Sequence, residues 1–82
     1  MSIPKDLFAK DLIKLLKKLG YEATRQTGSH IRLTTQENGT HHITIPNHKP
    51  LKVGTLSSIL KSIGEHFGKT KTEVWEMLKS KD

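Results

Sequence analysis

Residues 21–46 read YEATRQTGSHIRLTTQENGTHHITIP, and the period of two within this stretch decides the fold class. Tyr21 and Ala23 alternate with Glu22 and Thr24, Ile31 and Leu33 with His30, Arg32 and Thr34, and Ile43 and Ile45 with His42 and Thr44. Successive side chains of a strand point to opposite faces, so each run reads as a strand with one apolar and one polar face. The cluster Thr27-Gly28-Ser29 turns the first run into the second, and Glu37-Asn38-Gly39 turns the second into the third with the Asn-Gly pair that favours hairpins. Pro46 ends the third run because it has no N–H to give to a ladder, and Asn47 to Lys52, with Pro50 inside, reads as an ordered loop. Three antiparallel strands result.

On either side of this stretch the period changes to that of a helix. Phe8, Leu12, Leu15, Leu16 and Leu19 recur on one helical face with lysines between them, which predicts an amphipathic helix over about residues 7–19. Asp6 is the expected N-cap, and Gly20 the stop. Leu56, Ile59, Leu60, Ile63 and Phe67 repeat the pattern in a second helix, expected to begin near Gly54-Thr55 and to end at Gly64 or Gly68, with the periodicity favouring Gly68. Thr70 with Glu73 three residues on is a capping box, so Val74, Met77 and Leu78 belong to a short third helix, with Trp75 beside its apolar stripe and partly buried. The expected fold is α+β, in the order α-β-β-β-α with an extra C-terminal helix, a three-stranded antiparallel sheet and the helices on one of its faces.

Eighty-two residues with a third of them apolar suffice for one small core, so the chain reads as a single domain over residues 1–82. Cysteine is absent, and no apolar run is long enough for a membrane span or a signal segment, which fits a cytoplasmic protein stabilised by packing alone. The net charge of +6 suits a nucleic-acid partner. It is distributed as +3, +2 and +1 over residues 1–20, 21–52 and 53–82, so it is not confined to a tail.

Four of the five histidines, His30, His41, His42 and His48, fall within nineteen residues. If Ile31, Leu33, Ile43 and Ile45 face the helices, then His30, Arg32, His42 and Thr44 share the open face. Arginine neutralises phosphate, and imidazole, titrating at about 6.5, exchanges protons at neutral pH, so this face suits RNA. The ordinary reading is a solvated polar surface. A metal site at His41, His42 and His48 is disfavoured, because neighbours on a strand point to opposite faces and no ligand motif supports them. Lys49 and Lys52, with Gly54 and Thr55, lead into the second helix, where free backbone N–H groups can hold an anion or Thr55 can simply cap.

The segments Leu16-Lys17-Lys18-Leu19-Gly20-Tyr21, Arg25-Gln26-Thr27-Gly28-Ser29-His30, Ile45-Pro46-Asn47-His48 and Leu51-Lys52-Val53-Gly54-Thr55-Leu56-Ser57-Ser58-Ile59-Leu60 resemble the HicA toxin family of bacterial toxin-antitoxin systems, also described as YcfA-like, over roughly Lys10 to Gly64. The resemblance implies a double-stranded-RNA-binding-domain-like fold. It also implies an mRNA interferase that cleaves RNA without the ribosome and is silenced by a HicB-type antitoxin covering the active histidine. It places that histidine at His30, with Gly28 and Ser29 as the turn presenting it. Phe8-Ala9 departs from the family's small polar helix start, and Glu65 to Asp82 from its shorter tail. The expected chemistry needs neither metal nor cofactor. His30 is its acid/base; Arg32, His42, His48, Lys49, Lys52 and Thr55 are RNA-binding candidates; DNA, lacking the 2′-OH, is no substrate. A non-catalytic RNA-binding module and a basic protein that docks an acidic partner are the alternatives.

Overall fold

The computed structural model describes residues 7–47 and 50–80. Its elements are α1 (Ala9–Leu16), a 3₁₀ turn (Lys17–Leu19), β1 (Glu22–Thr27), β2 (His30–Thr35), β3 (His41–Pro46), α2 (Val53–Phe67) and α3 (Lys71–Lys79). The strands form one antiparallel sheet in the order β1-β2-β3. The expected α+β order is therefore present, with each hairpin turning where its Gly-containing cluster stands.

Leu33, Ile43 and Ile45 supply the sheet's share of the core, and the helices cover them with Leu12, Leu16, Leu56, Leu60 and Ile63, all fully buried. Burying each of these side chains contributes about 1.5–3 kcal/mol. Tyr21, expected to be buried, is completely so, and Trp75 is buried more deeply than its place beside the stripe implied. α3 packs on α2 and α1 and adds Val74, Trp75 and Leu78 to the same core. Lys18 fixes the far end of α3 by donating to the carbonyl of Leu78 at 2.8 Å and to that of Ser80, a cation on the negative end of a helix.

The helix starts differ from expectation. α1 begins at Ala9 with Phe8 in the N-cap position, and the Phe8 N–H donates to the Asp11 carboxylate at 3.3 Å, so Asp11 does from inside the helix what Asp6 was expected to do from outside; Asp6 itself lies outside the described residues. The last turn before Gly20 is 3₁₀. Gly20 adopts φ +81, and a Cβ there would lie 2.8 Å from Oγ1 of the buried Thr35, which is held by its bond to Leu19 O, so both conformation and space favour glycine. α2 starts at Val53 after Lys52, earlier than Gly54-Thr55, and no side chain caps it. The capping box of Thr70 and Glu73 is complete, with Glu73 N–H to Thr70 Oγ1 at 3.1 Å and Thr70 N–H to Glu73 Oε1 at 2.8 Å. These bonds, the backbone one foremost, hold the Glu73 carboxyl below its usual value.

α2 ends at Gly68, as the periodicity favoured, with φ +69. Gly64 has another use. The chain turns back over it, Lys69 N–H bonds the Gly64 carbonyl at 2.8 Å, and a Cβ on residue 64 would sit 2.3 Å from Lys69 O. Gly54, in the first turn of the same helix, has open space around its Cβ direction. The two positions should respond oppositely to alanine. Gly54→Ala should raise stability by about 0.4–1 kcal/mol, whereas Gly64→Ala should lower it by about 1–3 kcal/mol because a backbone segment must move; urea midpoints of the two variants check this.

Candidate nucleic-acid interface

The β1–β2 hairpin pairs Thr27 directly with His30, leaving Gly28 and Ser29 as a two-residue loop. Gly28 carries the positive φ, +57, that such a loop needs at its first position. Ser29 O accepts from Asn47 N–H at 2.6 Å, so the turn is tied to the residue that follows β3. His30, the first residue of β2, thus stands between a hairpin turn and Pro46, its partner on β3. Gly28 and Ser29 thus form the hairpin turn immediately before His30.

Alternation then places His30 and Arg32 of β2 and His42 and Thr44 of β3 on the face turned away from the helices. These four line an open cleft of about 310 Å³ together with Arg25 and Thr27 of β1. Arg25 is the residue that alternation missed. Counting in twos from Ala23 would turn it toward the helices, but a β-bulge between Ala23 and Arg25 inserts Thr24, and Arg25 pairs with Arg32 instead of Ile31. No apolar residue occurs between Ala23 and Ile31, so nothing in the sequence marks which parity this segment keeps. The available signal was compositional: a second arginine, five residues before His30, within a strand that buries nothing.

Arg25 and Arg32 are direct cross-strand neighbours, an arrangement that is unfavourable for like charges unless an anion lies between them. No carboxylate lines the cleft. Among the described residues the ion pair present is Lys79 with Glu76 at 3.4 Å, on the far helix, and neither arginine has an acidic partner. The cleft therefore offers two uncompensated guanidinium groups flanked by two imidazoles. Lys52 and Thr55 are not brought to it: they sit at the start of α2, in the layer covering the opposite face of the sheet. His48 and Lys49 lie outside the described residues.

His41 and His42 part company, as neighbours on a strand must. His41 turns toward α2, where its ring stacks on His66 with centroids 4.4 Å apart and planes at 10°. Burial pushes the Tyr21 phenol up to about 12, and its hydroxyl is hydrogen-bonded to His41 Nδ1 at 2.7 Å. His41 Nε2 is hydrogen-bonded to Ser62 Oγ at 3.3 Å. His66 Nε2–H donates to the carbonyls of Glu37 and Gly39 at 2.9 and 3.1 Å, and Asn38 returns a bond to His66 O at 2.7 Å, so the β2–β3 turn is pinned to α2. Among the described residues no three histidine, aspartate or glutamate side chains gather as metal ligands.

A family model described as the HicA toxin of bacterial toxin-antitoxin matches residues 9–65, from the first residue of α1 into the last turn of α2. No curated protein and no solved structure matches the chain.

The His41 environment sets a pH dependence. Burial first, then the charges His66 and His42 can carry, hold the His41 imidazole below its usual value. Above about 6.5 the ring is neutral whether the chain is folded or not. Below that value the unfolded chain takes up a proton that the folded chain resists, so His41's contribution to stability is lost as pH falls through the lowered folded value. Urea unfolding from pH 7.5 down to 5 should show stability declining with acid, and His41→Gln, which does not titrate, should flatten that decline by up to the one-proton limit of about 1.4 kcal/mol per pH unit.

Proposed function

The chain belongs to the HicA toxin family of bacterial toxin-antitoxin systems, and we propose that it acts as a ribosome-independent endoribonuclease of mRNA with the open sheet face as its active site. The observation that carries this reading is the pair of facing, unneutralised arginines between His30 and His42. A phosphodiester is the anion that such a pair accommodates, through bidentate charge-assisted hydrogen bonds.

His30 serves as general base. Its neutral imidazole removes the proton of the ribose 2′-OH, the oxygen attacks the adjacent phosphorus, and Arg25 and Arg32 stabilise the charge that builds on the non-bridging oxygens. The nucleophile is part of the substrate, so the step requires no metal, and DNA is inert. Lys52 and Thr55, across the sheet from the cleft, are not assigned to the scissile phosphate. The partner that silences the toxin is an antitoxin of the HicB type, which acts by covering the His30 face. No described helix is long and apolar enough to cross a membrane.

Labelled single-stranded RNA and the matching DNA, incubated in EDTA with wild-type and His30→Ala protein, test this. RNA alone should be cut, and His30→Ala should lose activity by about a hundredfold or more while still binding RNA. Arg25→Ala and Arg32→Ala should each weaken binding and lower the slope of log affinity against log salt by about one. RNA binding without product in the wild type would convert the reading to a non-catalytic RNA-binding module.

A further inference from the structure

Two histidines face the cleft, and only His30 has been given a proton to move. His42 is held in a way that His30 is not: among the described residues no hydrogen bond orients the His30 ring, whereas His42 is the start of a chain of hydroxyls. Thr34 lies directly opposite His42 in the β2–β3 register, with its Oγ1 2.8 Å from His42 Nδ1. Thr24, the residue inserted by the bulge, places its own Oγ1 3.0 Å from Thr34 Oγ1 and donates to the carbonyl of Arg32 at 3.4 Å.

In the imidazolium, the form a general acid needs, both ring nitrogens carry protons, so His42 Nδ1–H donates to Thr34 Oγ1 and Nε2–H is left free. Thr24 Oγ1, 3.0 Å from Thr34 Oγ1, continues the chain toward the carbonyl of Arg32.

Placement along the strands agrees. Thr34, and with it His42 across the ladder, is four residues from His30, about 13 Å along β2, and Arg32 stands midway with Arg25 beside it. In-line displacement at phosphorus needs a base on the attacking oxygen and an acid on the leaving oxygen at opposite ends of the transition state, with cations around the middle. His30 and His42 thus line the same cleft from opposite ends of the register, with the two arginines between them.

We infer that His42, oriented by the Thr34–Thr24 hydroxyl chain, is the general acid of RNA cleavage, an assignment that rests on the reading of this cleft as a ribonuclease site with His30 as base. The bond from the 2′ oxygen to phosphorus forms as the phosphorus bond to the 5′ oxygen breaks. The 2′-OH proton passes to His30, and the Nε2 proton of the His42 imidazolium passes to the 5′ oxygen. The products are a 2′,3′-cyclic phosphate and a 5′-hydroxyl end, with each histidine left in the charge state in which the other began. Thr34 is a positioning residue.

A leaving group that needs no proton separates this role from charge binding. The probes are a short RNA and the same RNA with sulfur in place of the 5′ oxygen at one cleavable linkage, since a thiolate departs unprotonated. His42→Ala and His42→Gln should lose about a hundredfold or more on ordinary RNA and recover to within about tenfold of wild type on the sulfur substrate. Thr34→Val should show a smaller loss that also disappears with sulfur, which a merely structural defect would not do. His30→Ala should remain slow on both. Equal impairment of His42→Ala on both substrates, or full activity on ordinary RNA, overturns the assignment while leaving His30 as base. A wild-type protein that cuts neither substrate overturns the ribonuclease reading and this inference with it.

Discussion

Leu33, Ile43 and Ile45 can reach the helices only from one side of the sheet, and that one-sidedness governs the rest of the molecule. Because the pleat alternates strictly, burying these three commits Arg32, His42 and Thr44 to the other side. A slip of one residue in the β2–β3 register would exchange the two sets, placing charge in the core and isoleucine in water. The burial that stabilises the fold therefore also holds the cleft's side chains in place. The two-residue Gly28-Ser29 loop contributes the complementary restraint, since it fixes where β2 starts and hence which residue stands first on the open face.

This coupling explains why so much was legible in the sequence. Wherever apolar residues alternate, as from Ile31 to Leu33 and from Ile43 to Ile45, the side of every polar neighbour follows, and His30, Arg32 and His42 were placed on a common face by that argument alone. Legibility fails where the apolar marks stop. Between Ala23 and Ile31 the segment is wholly polar, so the extra residue at Thr24 left no trace and Arg25 was not recognised. The starts of α1 and α2, unlike that of α3, were misread for a related reason: a cap is decided by which nearby carboxylate or hydroxyl reaches an N–H, and Asp11 reaches back from the third turn position while Thr55 does not serve α2. Gly64 read as a candidate helix end because composition cannot distinguish a glycine needed for its φ from one needed for its lack of a side chain.

The adjacent pair His41-His42 shows how strongly context divides one residue type into two roles. His42 is exposed on the cleft face, with the Thr34 hydroxyl on its Nδ1. His41 is enclosed by Tyr21, Ser62 and His66, and its bonds join the sheet to α2 and, through His66, to the β2–β3 turn. Among the described residues the His42 ring is bonded at one nitrogen, the His41 ring at both. A count of clustered histidines, taken without the pleat, would have merged them into one site.

α3 lies beyond the segment shared with the family, yet it is not an ornament. Val74, Trp75 and Leu78 complete the core, and Lys18, near the other end of the chain, holds the last carbonyls of the helix. During synthesis the strands bearing the cleft leave the ribosome before α2 and α3, so the hydrophobic layer beneath them stays unfinished until residue 78 has followed. The order of translation thus sets an interval in which a new copy has the side chains of its cleft but not the packing that aligns them.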